Sequence, residues 1–232
     1  MDAHVLVDYY NFPKRFLNVG LASFVSQMES LVRSASPNVV DVFVRLYGGW
    51  YDEIGLSKDG TILAQDISQD FPKSNLNGGV VCHTYCEMAS SLIKLKGDLF
   101  FATVREKRGL TRLLRTATPA ACIDNLKCTV PSVVQWSRKG CPTAGCPVSN
   151  FDAFVCKQQK LVDILICCDL LTLAITGAKA TIFLFSDDDD FIPALLLAGS
   201  HTKDIWHVRT QPNKPRLYDA LLMRNGVKTA FI

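Results

Sequence analysis

At 232 residues, 48% of them hydrophobic, the chain is large and apolar enough to bury a well-filled core, which excludes a disordered polymer. A net charge of +3 gives no global pull toward a polyanion. No apolar run reaches the ~20 residues of a membrane helix; the longest, Leu161 to Ile175, is interrupted by Asp163 and Asp169.

The first predicted element is a buried strand, His4 to Val7, ending at Asp8 and followed by a turn, Tyr9-Tyr10-Asn11-Phe12-Pro13. Leu21, Phe24, Val25, Met28, Leu31 and Val32 have the spacing of an amphipathic helix over Gly20 to Ser34. Val39 to Tyr47 reads as a second strand. Asp59-Gly60 and Asn77-Gly78-Gly79 read as turns, Cys86 to Leu95 as a helix and Leu99 to Val104 as a third strand. From Thr116 to about Cys156 the chain is irregular and rich in Pro, Gly, Ser, Thr and Cys, an insertion rather than a separate domain. A long helix is predicted from Lys157 to about Thr176. It is followed by a strand from Thr181 to Ser186, a helix from Ile192 closed by Gly199, a strand from Asp204 to Arg209, a short helix from Leu217 to Met223 and an edge strand from Lys228 to Ile232. Strands alternating with helices predict one α/β domain over residues 1–232, with a mainly parallel sheet and helices on both faces.

Charge is unevenly distributed. Between Leu99 and Lys160 stand ten Lys or Arg against three acids, a net +7, which leaves the rest of the chain at −4. A basic segment beside an acidic remainder suits a protein that handles phosphodiesters. The start, Met1-Asp-Ala-His-Val5, has no basic region leading into an apolar core, so the expectation is a cytoplasmic protein making no membrane contact. In a reducing compartment its nine cysteines are thiols or metal ligands rather than disulfides.

The acids carry the strongest signal. Four aspartates, Asp187 to Asp190, follow the strand Thr181 to Ser186, and Asp8 ends the first strand. In an open parallel sheet both strand ends lie at one edge, where ligands bind. Asp163 stands in the first turns of the long helix and shares a stripe with Ile166, Cys167, Leu170 and Ala174, which predicts a core-facing carboxylate aimed at that edge. Asp8, Asp163, Asp188 and Asp190 together predict a divalent-cation site, since adjacent carboxylates stay ionised at low cost only near a cation.

Three segments resemble the signature blocks of NYN domains in the PIN-like nuclease superfamily. They are Val5-Leu-Val-Asp8-Tyr-Tyr-Asn11-Phe12, Lys160-Leu-Val-Asp163 continuing to Asp169, and Phe185-Ser-Asp-Asp188-Asp-Asp190-Phe191. Their order and spacing span the core. The resemblance implies a Rossmann-like three-layer sandwich and a metal-dependent ribonuclease that hydrolyses phosphodiester bonds with Mg²⁺ or Mn²⁺ held by Asp8, Asp163, Asp188 and Asp190. It gives Asn11 a role in positioning substrate or water, and Asp169 a supporting or structural one. RNA or another nucleic acid is the implied partner, held along its phosphates by Arg105, Lys107, Arg108, Arg112, Arg115 and Lys160, and a homodimer that completes a groove is a family analogy. Two positions depart from the pattern: Asp187 replaces the usual glycine and Asp189 a serine. The alternative is a nucleic-acid-binding module of this fold with weak or lost catalysis. A phosphohydrolase with an Asp-x-Asp pair fits less well, because Tyr10 takes the second position.

Tyr9 and Tyr10 are placed either to stack on a base or to pack against neighbouring loops. Cys128, Cys141, Cys146 and Cys156 bracket the insertion and are candidate ligands for a structural Zn²⁺, with Cys122 a further neighbour. The alternative is that most are small buried hydrophobes. His4, His83, His201 and His207 show no ligand or triad spacing.

Overall fold

The computed structural model describes residues 1–52, 55–77, 79–95, 100, 102–108, 144–147, 149, 155–176, 179–202, 204–212 and 217–232. Two compact units divide the chain, one made of Met1–Thr103 with Gln159–Ile232 and the other of Val104–Gln158.

In the first unit the strands are β1 (Asp2–Asp8), β2 (Asp41–Tyr47), β3 (Lys73–Asn77), β4 (Val80–Met88), β7 (Ala180–Phe185), β8 (Ile205–Arg209) and β9 (Lys228–Phe231). They form a seven-stranded sheet in the order β3-β4-β2-β1-β7-β8-β9. Only the β3–β4 hairpin is antiparallel; every other pairing in this sheet is parallel. The core strands are continuous apolar runs because both of their faces are covered. Side chains alternate across the sheet, so Leu6 faces one cluster while Val5 and Val7 face the other. Helices α2 (Leu21–Ala35) and α3 (Lys58–Asp70) close the Val5 side. Helices α4 (Val162–Ile175), α5 (Ile192–His201) and α6 (Asp219–Arg224) close the Leu6 side. A single turn, α1 (Lys14–Leu17), precedes α2. The α/β class with a mostly parallel, helix-covered sheet is therefore as the sequence predicts.

β1 is hydrogen-bonded on one side to β2 and on the other to β7. Chain connections run in opposite directions from it, so the β1/β7 boundary is a topological switch point. In open α/β sheets ligands bind in the crevice outside the strand ends at that point. Asp8 and the segment after Phe185 flank it.

Several predicted elements differ. Cys86 to Leu95 is not a helix: its first residues complete β4, whose backbone is claimed by β2 and β3 on either side. Of the strand predicted from Leu99 to Val104, Leu99 and Phe101 lie outside the described residues, and Phe100 and Thr103 are not in a strand. Ala102 makes an isolated bridge to Asp52, and the strand β5 begins at Val104 and runs to Arg108. β5 and β6 (Val155–Gln159) form a two-stranded sheet. The long helix therefore starts at Val162 rather than Lys157, after Leu161 turns the chain with a φ of 68°. Asp59-Gly60 is not a turn but the first turn of α3, where the Ser57 hydroxyl caps the Gly60 amide at 3.1 Å. A Cβ on Gly60 would lie 2.7 Å from the Trp50 carbonyl oxygen, so a small residue fits that approach. Gly199 does not end α5 either; it lets the helix pass the Asn225 carbonyl, which a Cβ would approach to 2.8 Å. Most of the predicted insertion, from Thr116 to Thr143 and from Asn150 to Phe154, lies outside the described residues. No helix among the described residues is long and apolar enough to cross a membrane.

Candidate metal and phosphodiester site

Asp8 closes β1 on the Leu6 face, where it is 2% exposed. One carboxylate oxygen, Oδ2, accepts from the Asn11 amide at 2.6 Å and the Ser186 hydroxyl at 2.9 Å. Asn11 reaches back because Tyr9–Asn11 forms one 3₁₀ turn directly after the strand. Ser186 is the first residue past β7, level with Asp8 because Val7 pairs with Phe185. Its hydroxyl also accepts from the Asp188 amide at 3.0 Å, so one serine links the two acidic segments.

The four consecutive aspartates separate by what they bond. Asp187 is tied to the end of the neighbouring strand: one oxygen accepts from the Thr210 amide at 3.0 Å and the other from the Thr210 hydroxyl. Asp188 caps the turn Asp189–Phe191, its Oδ1 accepting from the Asp190 amide at 3.0 Å. That turn leads into α5, with a proline in the helix's first turn and Phe191 fully buried beneath. Asp190 is exposed and does not cap α5.

Asp163 is exposed in the first turn of α4, which corrects the core-facing position read from its stripe. The buried stripe is Val162, Leu165, Ile166, Asp169, Leu170 and Leu173. α4 is apolar nearly all the way round, so the apolar pattern carries little directional information.

Electrostatics connects the group. Burial, above all, raises Asp8 to about 6; the bonds from Asn11 and Ser186 oppose the rise, and the charges of Asp163 and Asp188 add to it. Asp163 is also raised, first by desolvation and then by Asp188 and Asp190. Among the described residues, Oδ1 of Asp8, Oδ2 of Asp188 and both oxygens of Asp163 and Asp190 accept no hydrogen bond. These are hard oxygen donors at one sheet edge, the chemistry a Mg²⁺ or Mn²⁺ ion takes. Among the described residues no three His, Cys, Asp or Glu side chains are drawn to ligand spacing, so the four carboxylates do not enclose a cage.

Comparisons with protein-family models, with curated proteins and with solved structures give no significant match. The site's chemistry therefore stands on its own residues.

Asp169, on the Leu6 face, is held by donors on both oxygens. Fully buried, it accepts from the Tyr47 hydroxyl at 2.7 Å and the Ile93 amide at 2.8 Å, and lies 3.2 Å from Nε of Arg45. Arg45 also donates to Glu87 and to the Ser91 carbonyl. Sequence reasoning missed this network and the roles of Ser186 and Thr210. Its visible signal was a lone arginine in the apolar run Val42-Phe-Val-Arg-Leu-Tyr47, matched by a lone aspartate in an apolar helix.

Tyr9 packs edge-on against Phe24 and Trp50, with ring centroids 6.2 and 5.4 Å away. Tyr10 leans on Trp50 and donates its hydroxyl to Asp59 at 3.1 Å. Both are thus engaged by neighbouring elements, the packing alternative named for them. Arg105 is exposed on β5, Lys107 and Arg108 lie on the same strand, and Lys160 is exposed just before α4. Arg112, Arg115, Cys122, Cys128 and Cys141 lie outside the described residues. Cys156 falls on β6 and Cys146 is half-buried with a free thiol.

Proposed function

We propose that the chain is a metal-dependent nuclease, with RNA the foremost substrate, acting at the edge where β1 meets β7. One observation carries this reading: Asp8, Asp163, Asp188 and Asp190 keep unbonded carboxylate oxygens at the switch point, and their negative charges add to the raised proton affinity of Asp8 and Asp163, whereas Asp187 and Asp169 are consumed by structural bonds. A cluster of uncompensated carboxylates in that position is costly without a cation. The resemblance of the three acidic segments to NYN domains points the same way.

A bound Mg²⁺ or Mn²⁺ supplies positive charge that acidifies water and stabilises charge developing on a phosphodiester. The chain's own residues do the rest. Asn11 and Ser186 fix the orientation of the Asp8 carboxyl, leaving Oδ1 for the ion. Asp188, held by its own cap, presents Oδ2. Asp163 and Asp190 add oxygens from two further elements. In this reading Arg105, Lys107, Arg108, Arg112, Arg115 and Lys160 hold phosphates, which makes binding fall steeply with salt.

Labelled RNA and DNA incubated with Mg²⁺, Mn²⁺ or EDTA test the proposal. The expected result is cation-dependent cleavage that drops about 100-fold or more in Asp8→Asn and in Asp188→Asn while both remain folded. Cleavage that survives EDTA, or wild-type rates in both variants, sinks it. Salt-sensitive RNA binding with no cleavage under any cation favours instead a binding module with lost catalysis.

A further inference from the structure

Away from the acidic edge, the sheet carries a cavity of about 440 Å³, within the range of small-molecule sites. Its lining includes His4, Phe43 and Tyr85, which stand in register on β1, β2 and β4. Their rings form a continuous ladder. His4 and Phe43 have centroids 5.4 Å apart and planes within 24°, Phe43 and Tyr85 centroids 5.0 Å apart and planes within 8°. Tyr85 at the end of the ladder is 38% exposed.

The polar side of the same cavity is equally defined. Arg45 is 5% exposed and held by the Ser91 carbonyl, Asp169 and Glu87. Nη1 donates to Glu87 and Nη2 to the Ser91 carbonyl, while Nε makes no hydrogen bond to the described residues and lies 3.2 Å from the Asp169 carboxylate. A phosphate arriving here would meet more negative than positive charge. Burial also lowers the proton affinity of His4, against a smaller opposing effect of Asp2, which disfavours a positive charge on the imidazole. Glu87 is the open group: its side chain is 57% exposed, Oε1 takes the bond from Arg45, and Oε2 accepts none from the described residues. The guanidinium thus orients a carboxylate whose second oxygen faces no competitor.

We propose that this cavity binds a guanine base, flat against the aromatic ladder with its adjacent ring N–H and amino group donating to Glu87. A flat heterocycle gains from offset or edge contact with aromatic rings. A fixed carboxylate selects an edge that carries two neighbouring donors and rejects one that offers an acceptor. Adenine presents a ring acceptor there, and hypoxanthine lacks the amino donor. The proposal does not depend on the acidic edge being catalytic.

Two sources could supply the base, a free nucleoside or a residue of a nucleic acid, and the test separates them. Titration calorimetry and side-chain NMR are run on the full chain with guanosine, inosine and adenosine, then with r(UUGUUU) and r(UUAUUU). The expected result is guanosine bound about tenfold or more tightly than inosine or adenosine, with shifts at Phe43 and Tyr85. Preference for r(UUGUUU) over r(UUAUUU) without binding of free guanosine assigns the site to nucleic acid and also supports the proposal. Glu87→Gln, in which Arg45 keeps Asp169 and the Ser91 carbonyl, and Tyr85→Leu should each weaken guanine binding about tenfold. Equal binding of guanosine and adenosine, no binding by any probe, or unchanged affinity in both variants overturns it.

Discussion

Asp8 and Asp169 are two buried carboxylates on the same side of the sheet, and they are held in contrasting ways. Asp169 has donors on both oxygens and a guanidinium 3.2 Å away. Asp8 has two neutral donors on one oxygen, nothing on the other, and negative neighbours. The first arrangement completes a network that joins α4, β2 and the segment after β4. The second leaves a deficit of positive charge where ligands enter an open α/β sheet. Burial raises both groups. On the proposed reading, what separates the structural Asp169 from the ion-binding Asp8 is whether the carboxylate oxygens are already spent.

The sharpest way to break that contrast is to delete the network member. Asp169→Ala removes the partner of a buried arginine and should cost about 3–5 kcal/mol in denaturant unfolding. A cost no greater than that of a surface substitution would mean that Asp169 is as dispensable to stability as the contrast says Asp8 is.

Next comes pH. The folded value of Asp8, about 6, lies above the ordinary 3.8, so the folded state binds this proton more tightly than the unfolded chain does. Without added cation, this group makes stability fall as pH rises from about 4 to about 6, by up to roughly 3 kcal/mol, and adds no further slope above that. Asp8→Asn should remove that slope and leave the protein no less stable at pH 7. Mn²⁺ added at pH 7 should raise the melting temperature of the native chain and not of Asp8→Asn. A native chain whose stability rises across the same interval as Asp8 ionises contradicts the uncompensated site.

The smallest effect distinguishes neighbours in the acid run. Asp187→Ala frees the Thr210 amide and hydroxyl and should cost about 1–2 kcal/mol of stability. Asp190→Ala should leave thermal stability without cation nearly unchanged and lower cation affinity. Melting curves with and without Mn²⁺ read both. If the two variants exchange these behaviours, Asp187 rather than Asp190 belongs to the ion.

How much of this was legible depended on burial. β1, β2, β7 and β8 announce themselves as apolar runs because parallel strands covered on both faces need no alternation. β4 does not: it lies next to the edge, mixes Val80, Val81 and Tyr85 with Cys82, His83 and Thr84, and runs into residues that suit a helix equally well. That Asp8 and the acid run share one edge could be read from the alternating strand–helix pattern, because parallel strands end on the same side. The direction of Asp163 could not, because α4 is apolar on nearly every side and its buried stripe lies on other residues. Asp187 looked like surplus charge because its partner, Thr210, lies 23 residues away, across a strand pairing that local pattern does not reveal.

The pairing of β1 with β7 has a consequence in time. Asp8 and the Ser186 hydroxyl that holds it are 178 residues apart. At the usual pace of synthesis, on the order of 5–20 residues per second, the ribosome makes the first acid roughly 9–36 s before the serine that completes its setting. An emerging chain therefore carries Asp8 with half of its support missing, and the edge is assembled only when most of the polypeptide has been made. Any activity housed there would stay silent on the ribosome, close to the cell's most abundant RNA, until the fold is nearly complete.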